Sequence, residues 1–268
     1  MIADTDMGYL DWNNSLYILN KAHQASIFVL IIGPKGTGKT SLVRKFAEEI
    51  QRELHSINFS LRTRESHLVG SKTMNMGEIS FVEGILVRSM KKGSILYLDE
   101  INAAEADVLL RLDEALDDRR QIILKEAEGQ TIRASDNWFV IATINPLSHA
   151  GTKELPPQLL SRFPVRLKLE YPPPEIEMQI VKRHVNLSGD EEREMERAFK
   201  LANSLREAAA LEELFYSPSI RESIAFAKII KKGVPTKQAA QVVYANVYEQ
   251  WGDVEYRKVM EMITSIFA

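Results

Sequence analysis

The chain has 268 residues, of which 45% are hydrophobic and 26% charged, and its formal net charge is −3; these values describe a folded protein of one large domain or two smaller ones. It contains no cysteine, which excludes a disulfide framework and a thiolate metal site and suits a reducing compartment. The near-balanced charge argues against a dedicated nucleic-acid-binding domain, which usually carries a basic excess, while leaving room for a local basic patch.

The N-terminal "MIADTDMGYLDWNN" is acidic and polar, without the basic and apolar regions of a secretory signal, and no apolar run approaches a membrane span. A cytoplasmic protein with no membrane partner is expected. Residues 11–24 read as a short helix, followed by "SIFVLIIG" (26–33), a continuous apolar run of the kind that forms a buried parallel strand. The helix "TSLVRKFAEEIQREL" is expected to follow directly. Further short apolar runs occur at "HSINF" (55–59), "SILYLD" (94–99), "WFVIATI" (138–144) and "VRLKLE" (165–170). Strands alternating with helices imply an α/β domain built on a doubly wound parallel sheet.

Two segments break that rhythm: "LVGSKTMNMGEISFVEG" (68–84), and "QIILKEAEGQTIRA" (121–134), a hairpin pattern with glycine near its tip. Both read as insertions. "YPPPE" (171–175) is a stiff break, because proline lacks an amide and restricts the residue before it. Helix is expected beyond it, over about 175–186, 190–214, 218–232 and 235–266, with a further break at Gly252. The domains are therefore placed at 1–170 (α/β) and 175–268 (all helical).

"GPKGTGKT" (33–40) fits G-x-x-x-x-G-K-[ST] and lies between a buried strand and a helix. In that setting Gly33, Pro34, Lys35, Gly36, Thr37, Gly38, Lys39, Thr40 and Ser41 form a phosphate cradle: backbone amides face the phosphates, Lys39 reaches the β- and γ-phosphates, and the Thr40 hydroxyl ligates magnesium. A chance glycine-rich turn is the competing reading. "ILYLDE" (95–100) ends a buried strand in two acids. Asp99, on a strand expected beside the cradle, can hold Mg²⁺ through its waters, and Glu100 can polarise a water for attack on the γ-phosphorus of ATP. Capping of the helix that follows is the competing reading, and the cradle motif favours the catalytic one. In "IATINP" (141–146) Asn145 ends another strand, where its amide could bond the γ-phosphate and the attacking water; alternatively Asn-Pro is a turn initiator. Arg162, in "PPQLLSRF", has three possible partners: a carboxylate of its own chain, a nucleic-acid phosphate, or the nucleotide of another copy.

With these motifs and "SPSIRES" (217–223) in this order, the chain resembles an AAA+ ATPase over nearly its whole length. "HLVGS" (67–71), "FVEGILVRSMKKGSILYLDEIN" (81–102), "LDEALDDRRQIIL" (112–124) and "YPPPE" are similar to the MoxR-like group, relatives of the magnesium-chelatase ATPase subunit and of ATPases that activate rubisco or nitric-oxide reductase. The resemblance implies a five-stranded sheet, a helical lid, a helix-2 insert at about 70–83, a pre-sensor hairpin at about 120–134, and a ring, usually a hexamer. It also implies that Asn145 is sensor 1, Arg162 an arginine finger acting in trans and Arg221 sensor 2. Arg221 has a separate argument: Ser217 can cap a helix whose first turn begins at Pro218. An exposed helix charge near Glu222 is the alternative. Arg119 and Arg120 match the group's "DDRR" or simply flank the hairpin.

The implied function is remodelling or activation of a client protein, including cofactor insertion into a metalloenzyme, with ATP and Mg²⁺ as cofactors. A von Willebrand A-type partner would be a separate chain, since no such domain fits here. Met74, Met76 and Phe81 suit gripping a protein surface or packing a local hairpin. The alternative is a nucleic-acid motor, helicase or loader, against which stands the mixed-charge tip "KEAEGQ" (125–130). A small-molecule kinase would need neither a neighbour's arginine nor a helical domain. His23, His55, His67, His149 and His184 show no metal-ligand spacing, and the Asn-x-Ser triplets at Asn13, Asn58 and Asn186 carry meaning only with secretion.

Overall fold

The computed structural model describes residues 9–75, 78–146 and 153–268; Met76 and His149 lie outside them. Five runs of apolar sequence form one all-parallel sheet, and each is long enough only for a short strand: β1 (Val29–Ile32), β2 (Leu54–Asn58), β5 (Ile95–Asp99), β8 (Phe139–Ile144) and β9 (Val165–Lys168). Their spatial order is β2-β5-β8-β1-β9. The middle strands β5, β8 and β1 carry Leu96, Leu98, Val140, Ile141, Leu30 and Ile31 at no solvent exposure, as expected for a sheet covered on both faces.

Helices α1 (Ser15–Gln24), α2 (Lys39–Glu49), α4 (Ile85–Lys92) and α5 (Ala106–Leu116) supply apolar faces to this unit, with short α3 (Glu65–Val69) and α6 (Pro157–Ser161) between strands. Helix α1 begins four residues later than its sequence pattern suggests. Helix α2 ends at Glu49 rather than running through Leu54. Gln51 adopts a left-handed φ of 52°, and the amides of Gln51 and Arg52 return to the carbonyls of Glu48 and Ala47, a Schellman closure. The usual glycine signal is missing there, so the stop is invisible in the sequence.

The two insertions are hairpins. β3 (Gly70–Asn75) pairs antiparallel with β4 (Glu78–Glu83), and β6 (Gln121–Leu124) with β7 (Gln130–Arg133). Gly129, near the second tip, has φ 78°, which a side chain would strain. Arg120 anchors the base of this hairpin: its guanidinium donates to the Ser26 carbonyl at 2.8 Å and lies 5.0 Å from the Phe28 ring centroid. Arg119 is exposed and pairs with Asp117 at 2.9 Å. Both arginines therefore flank the hairpin. Met74 is 71% exposed on β3, and Phe81 lies against Gly70 on the paired strand.

The residues after the proline run are helical: α7 (Pro174–His184), α8 (Gly189–Ala210), α9 (Ile220–Ile230), α10 (Thr236–Ala240) and α11 (Asp253–Ile266). The long helix expected over 235–266 is divided by a π turn at Gln241–Ala245, a 3₁₀ turn at Asn246–Trp251 and Gly252 with φ 110°. α8 stops at Ala210, and Glu212 reverses the chain at φ 60°. The chain divides into two compact units, one of Asn13–Pro34 with Gly38–Glu170, the other of Lys35–Thr37 with Tyr171–Ala268 and residues 9–12.

The helical unit has its own core around Phe199, Leu205, Phe226, Tyr244 and Tyr248. A buried ion pair crosses it: Arg206 reaches both oxygens of fully buried Glu177 at 2.8 and 3.0 Å, donates to the Pro218 carbonyl at 2.9 Å, and lies 4.3 Å from the Tyr171 ring centroid. Ser223 donates to the same carboxylate at 2.5 Å. Low dielectric makes such a bidentate pair costly to disturb once formed.

Candidate active site

The cradle loop leaves β1 at Ile32 and enters α2 at Lys39. Gly33 is required for a close approach, because a Cβ there would lie 2.3 Å from the Leu169 carbonyl oxygen on the neighbouring strand's continuation. Gly36 and Gly38 have φ of 73° and 93°, left-handed values that favour glycine. Lys39 is 8% exposed, and its ammonium is held by the carbonyls of Gly33 (2.6 Å) and Pro34 (2.8 Å) and by Asn145 Oδ1 (2.8 Å). Thr37 is buried, while Lys35 and Ser41 are exposed.

The sheet order corrects one expectation. The acid-bearing strand β5 is not beside β1; β8 stands between them and bonds to both. Two strand spacings, about 9–10 Å, separate the cradle strand from the acid strand, and Asn145 follows the end of the strand that fills the gap. Its amide spans the site: Oδ1 accepts from Lys39, and Nδ2 donates to Glu100 Oε1 at 2.8 Å. Asn145 is 2% exposed, and its own carbonyl accepts from Asn102 at 3.0 Å.

Glu100 carries a left-handed backbone, φ 57° and ψ 46°, a conformation that costs a non-glycine residue of order 1–3 kcal/mol and collects at functional sites. Its amide donates to Thr143 Oγ1 at 2.9 Å, and its carbonyl accepts from Ala103 at 2.9 Å, so both backbone groups hold the turn. Helix capping by the Asp99–Glu100 pair is not what the structure shows, since the 3₁₀ turn that follows has no side-chain cap.

Asp99 Oδ1 accepts from Tyr97 (2.7 Å) and from Thr143 (2.7 Å). Tyr97 is 2% exposed and contacts Thr40 Oγ1 at 3.2 Å. Burial pushes the Tyr97 hydroxyl well above the ordinary phenol range, so it remains a donor. Tyr97, Thr143 and Asn102 were absent from the sequence-derived site. A signal was present for two of them, because Tyr97 and Thr143 are polar residues in apolar strands, two positions before Asp99 and Asn145 and hence on the same strand faces.

Arg162, at the end of α6, is paired within its own chain. Nε donates to Asp113 at 2.9 Å, and Nη1 lies 3.5 Å from Asp117. Asp117 is held below the usual carboxylate range by the Asp118 amide and then by Arg119, so it stays charged beside Arg162. Arg221 is exposed on the first turn of α9. The cap of that helix is Ser219 rather than Ser217: Ser219 accepts from the Arg221 amide at 3.2 Å, and Glu222 returns to the Ser219 amide at 2.8 Å. Only Ser219 has a glutamate three residues on, which completes a capping box.

A family model described as the AAA domain, dynein-related subfamily, matches residues 28–163. An uncharacterized protein of Staphylococcus aureus strain USA300 is 34% identical over 197 residues, spanning 72% of this chain and 71% of its own. Another, from Staphylococcus saprophyticus, is 35% identical over 167 residues, 60% of this chain and 62% of its own. A crystal structure from Cytophaga hutchinsonii, described as a "putative ATPase", superposes with a TM-score of 0.51 over 93% of this chain and 88% of that one, at 21% identity. At that identity the likeness concerns the fold.

Proposed function

From the premise that this chain belongs to the AAA domain family, dynein-related subfamily, we propose that it hydrolyses ATP as a MoxR-like AAA+ ATPase and uses the cycle to remodel or activate a client protein. The observation that carries the reading is the chain of contacts from Lys39 through Asn145 to Glu100. It joins the cation expected on the γ-phosphate, a sensor amide and a carboxylate of the right type for general-base work on an attacking water. In this reading residues 1–170 act as the nucleotide-binding domain and 175–268 as the lid.

The residues present fit magnesium. Thr40 and Asp99 offer a hydroxyl and a carboxylate, the hard oxygen donors that Mg²⁺ combines with substrate phosphates and water. Both side-chain bonds to Asp99 fall on Oδ1, and among the described residues none is made to Oδ2. When bound, the ion neutralises charge on the β- and γ-phosphates. The protein's own work is then positioning: Lys39 leaves its carbonyl partners for phosphate oxygens, and Asn145 turns from Lys39 and Glu100 toward the nucleotide and the water. Glu100, released from the amide, takes a proton from that water.

Arg162 acts in trans in this proposal, reaching the nucleotide of the next protomer in a homo-oligomeric ring of six, and Arg221 reports the γ-phosphate to the lid. Release of Arg162 from Asp113 and Asp117 precedes that role. The hairpins at Gly70–Glu83 and Gln121–Arg133, with exposed Met74, provide the client-facing loops. The client is a separate protein. Affinity capture on Glu100→Gln in ATP tests the assignment: a protein retained only with ATP, and lost in Lys39→Ala, supports it. Salt-sensitive retention of DNA instead would replace it with a nucleic-acid motor.

A further inference from the structure

We propose that Tyr97 is a positioning residue for the divalent cation that accompanies the nucleotide, acting by fixing the direction of the Thr40 hydroxyl and the rotamer of Asp99; the inference rests on reading this site as a MgATP site. A phenol has one proton to give. Tyr97 gives it to Asp99 Oδ1 at 2.7 Å, so in its 3.2 Å contact with Thr40 it can only accept, and Thr40 Oγ1 is the donor. The hydrogen bonds therefore run one way, from Thr40 through Tyr97 to Asp99.

That direction matters because a hydroxyl ligates a cation through a lone pair. With its hydrogen committed to Tyr97, Thr40 Oγ1 presents its lone pairs to the cradle. The same tyrosine, together with Thr143, occupies Asp99 Oδ1 and so leaves Oδ2 as the oxygen for the cation. Partners behind metal ligands orient them in this way, and their loss typically weakens metal affinity by roughly 10–100-fold. Thr143 cannot substitute, since its hydroxyl serves Asp99 and Glu100 and no bond joins it to Thr40 among the described contacts.

The test measures binding of a fluorescent non-hydrolysable ATP analogue to the full chain, with Mg²⁺ and with chelator, for wild type, Tyr97→Phe and Tyr97→Met. The inference predicts that both variants keep wild-type affinity without metal and lose about tenfold of the tightening that Mg²⁺ confers, with Mn²⁺ behaving alike. Thermal melts of the metal-free proteins check that the fold is intact. Full Mg²⁺ tightening in the variants overturns the inference while leaving the nucleotide site standing, as does an equal loss with and without metal. If wild type binds the analogue with no help from Mg²⁺, the MgATP reading fails and the inference fails with it.

Discussion

Asn145 and Glu100 are bonded side chain to side chain at 2.8 Å, with the other end of the Asn145 amide on Lys39. The carboxylate proposed to activate water is thus held by the amide proposed to sense phosphate. Asn145→Asp places a like charge against Glu100 and a carboxylate against Lys39. Its expected effect is a loss of ATP turnover of roughly 10²-fold or more, the range of a general base that is no longer available, with nucleotide binding weakened as Lys39 is sequestered. Equilibrium binding and phosphate release, measured together, separate the two effects.

Arg162 is held by Asp113 at 2.9 Å within its own chain, so the role in trans proposed for it requires exchange of partners. Arg162→Ala is expected to bind ATP normally and to lose roughly 10³-fold or more of turnover, the scale of arginine fingers elsewhere. Mixing it with Lys39→Ala restores part of the activity if the finger serves a neighbour. Asp113→Asn loosens the intrachain pair and should not mimic the loss; an Asp113→Asn variant as inactive as Arg162→Ala would mark the pair itself as the essential feature.

Arg206→Met leaves the fully buried Glu177 carboxylate without its cation. Breaking a buried pair from one side costs about 3–5 kcal/mol. The transition of the helical unit should therefore fall sharply in thermal or urea unfolding, and Arg206→Met combined with Glu177→Leu should cost less than the single change.

His23 packs edge-on to Phe139 and Phe46, and burial, with a smaller contribution from Arg52, holds its pKa below the usual histidine value of 6.5. The unfolded chain then binds the proton more readily than the folded one. Stability is unaffected where both forms are neutral, and it declines as pH falls through about 6.5 toward the folded pKa. His23→Gln removes this term, so the gap in melting temperature between variant and wild type should shift in the variant's favour from pH 7.5 to 5.5.

Much of this architecture was legible because strand–loop–helix punctuation and buried apolar runs are local signals. The five parallel strands, the hairpin over Gln121–Arg133 and the glycine-rich loop sit where those signals place them, whereas segment 68–84 reads in the sequence only as an insertion. The sheet order was not legible: nothing in "IATINP" says that β8 enters between β1 and β5. Local closures that use atypical residues were also hidden, among them Gln51 ending α2 and Glu212 following α8. Ser217, expected to cap α9, lacks the glutamate three residues on that Ser219 has in Glu222. Tyr97 was missed because an aromatic in a buried strand usually means packing, and only the Thr40 and Asp99 contacts reveal its hydroxyl.

The most direct test of the ATPase assignment is phosphate release from MgATP by wild type and Glu100→Gln, with ATP binding measured on the same preparations. The account predicts steady release by wild type, and ATP binding without appreciable release by the variant. Equal release by both proteins, or none by a wild-type preparation that binds MgATP and forms rings, would contradict it.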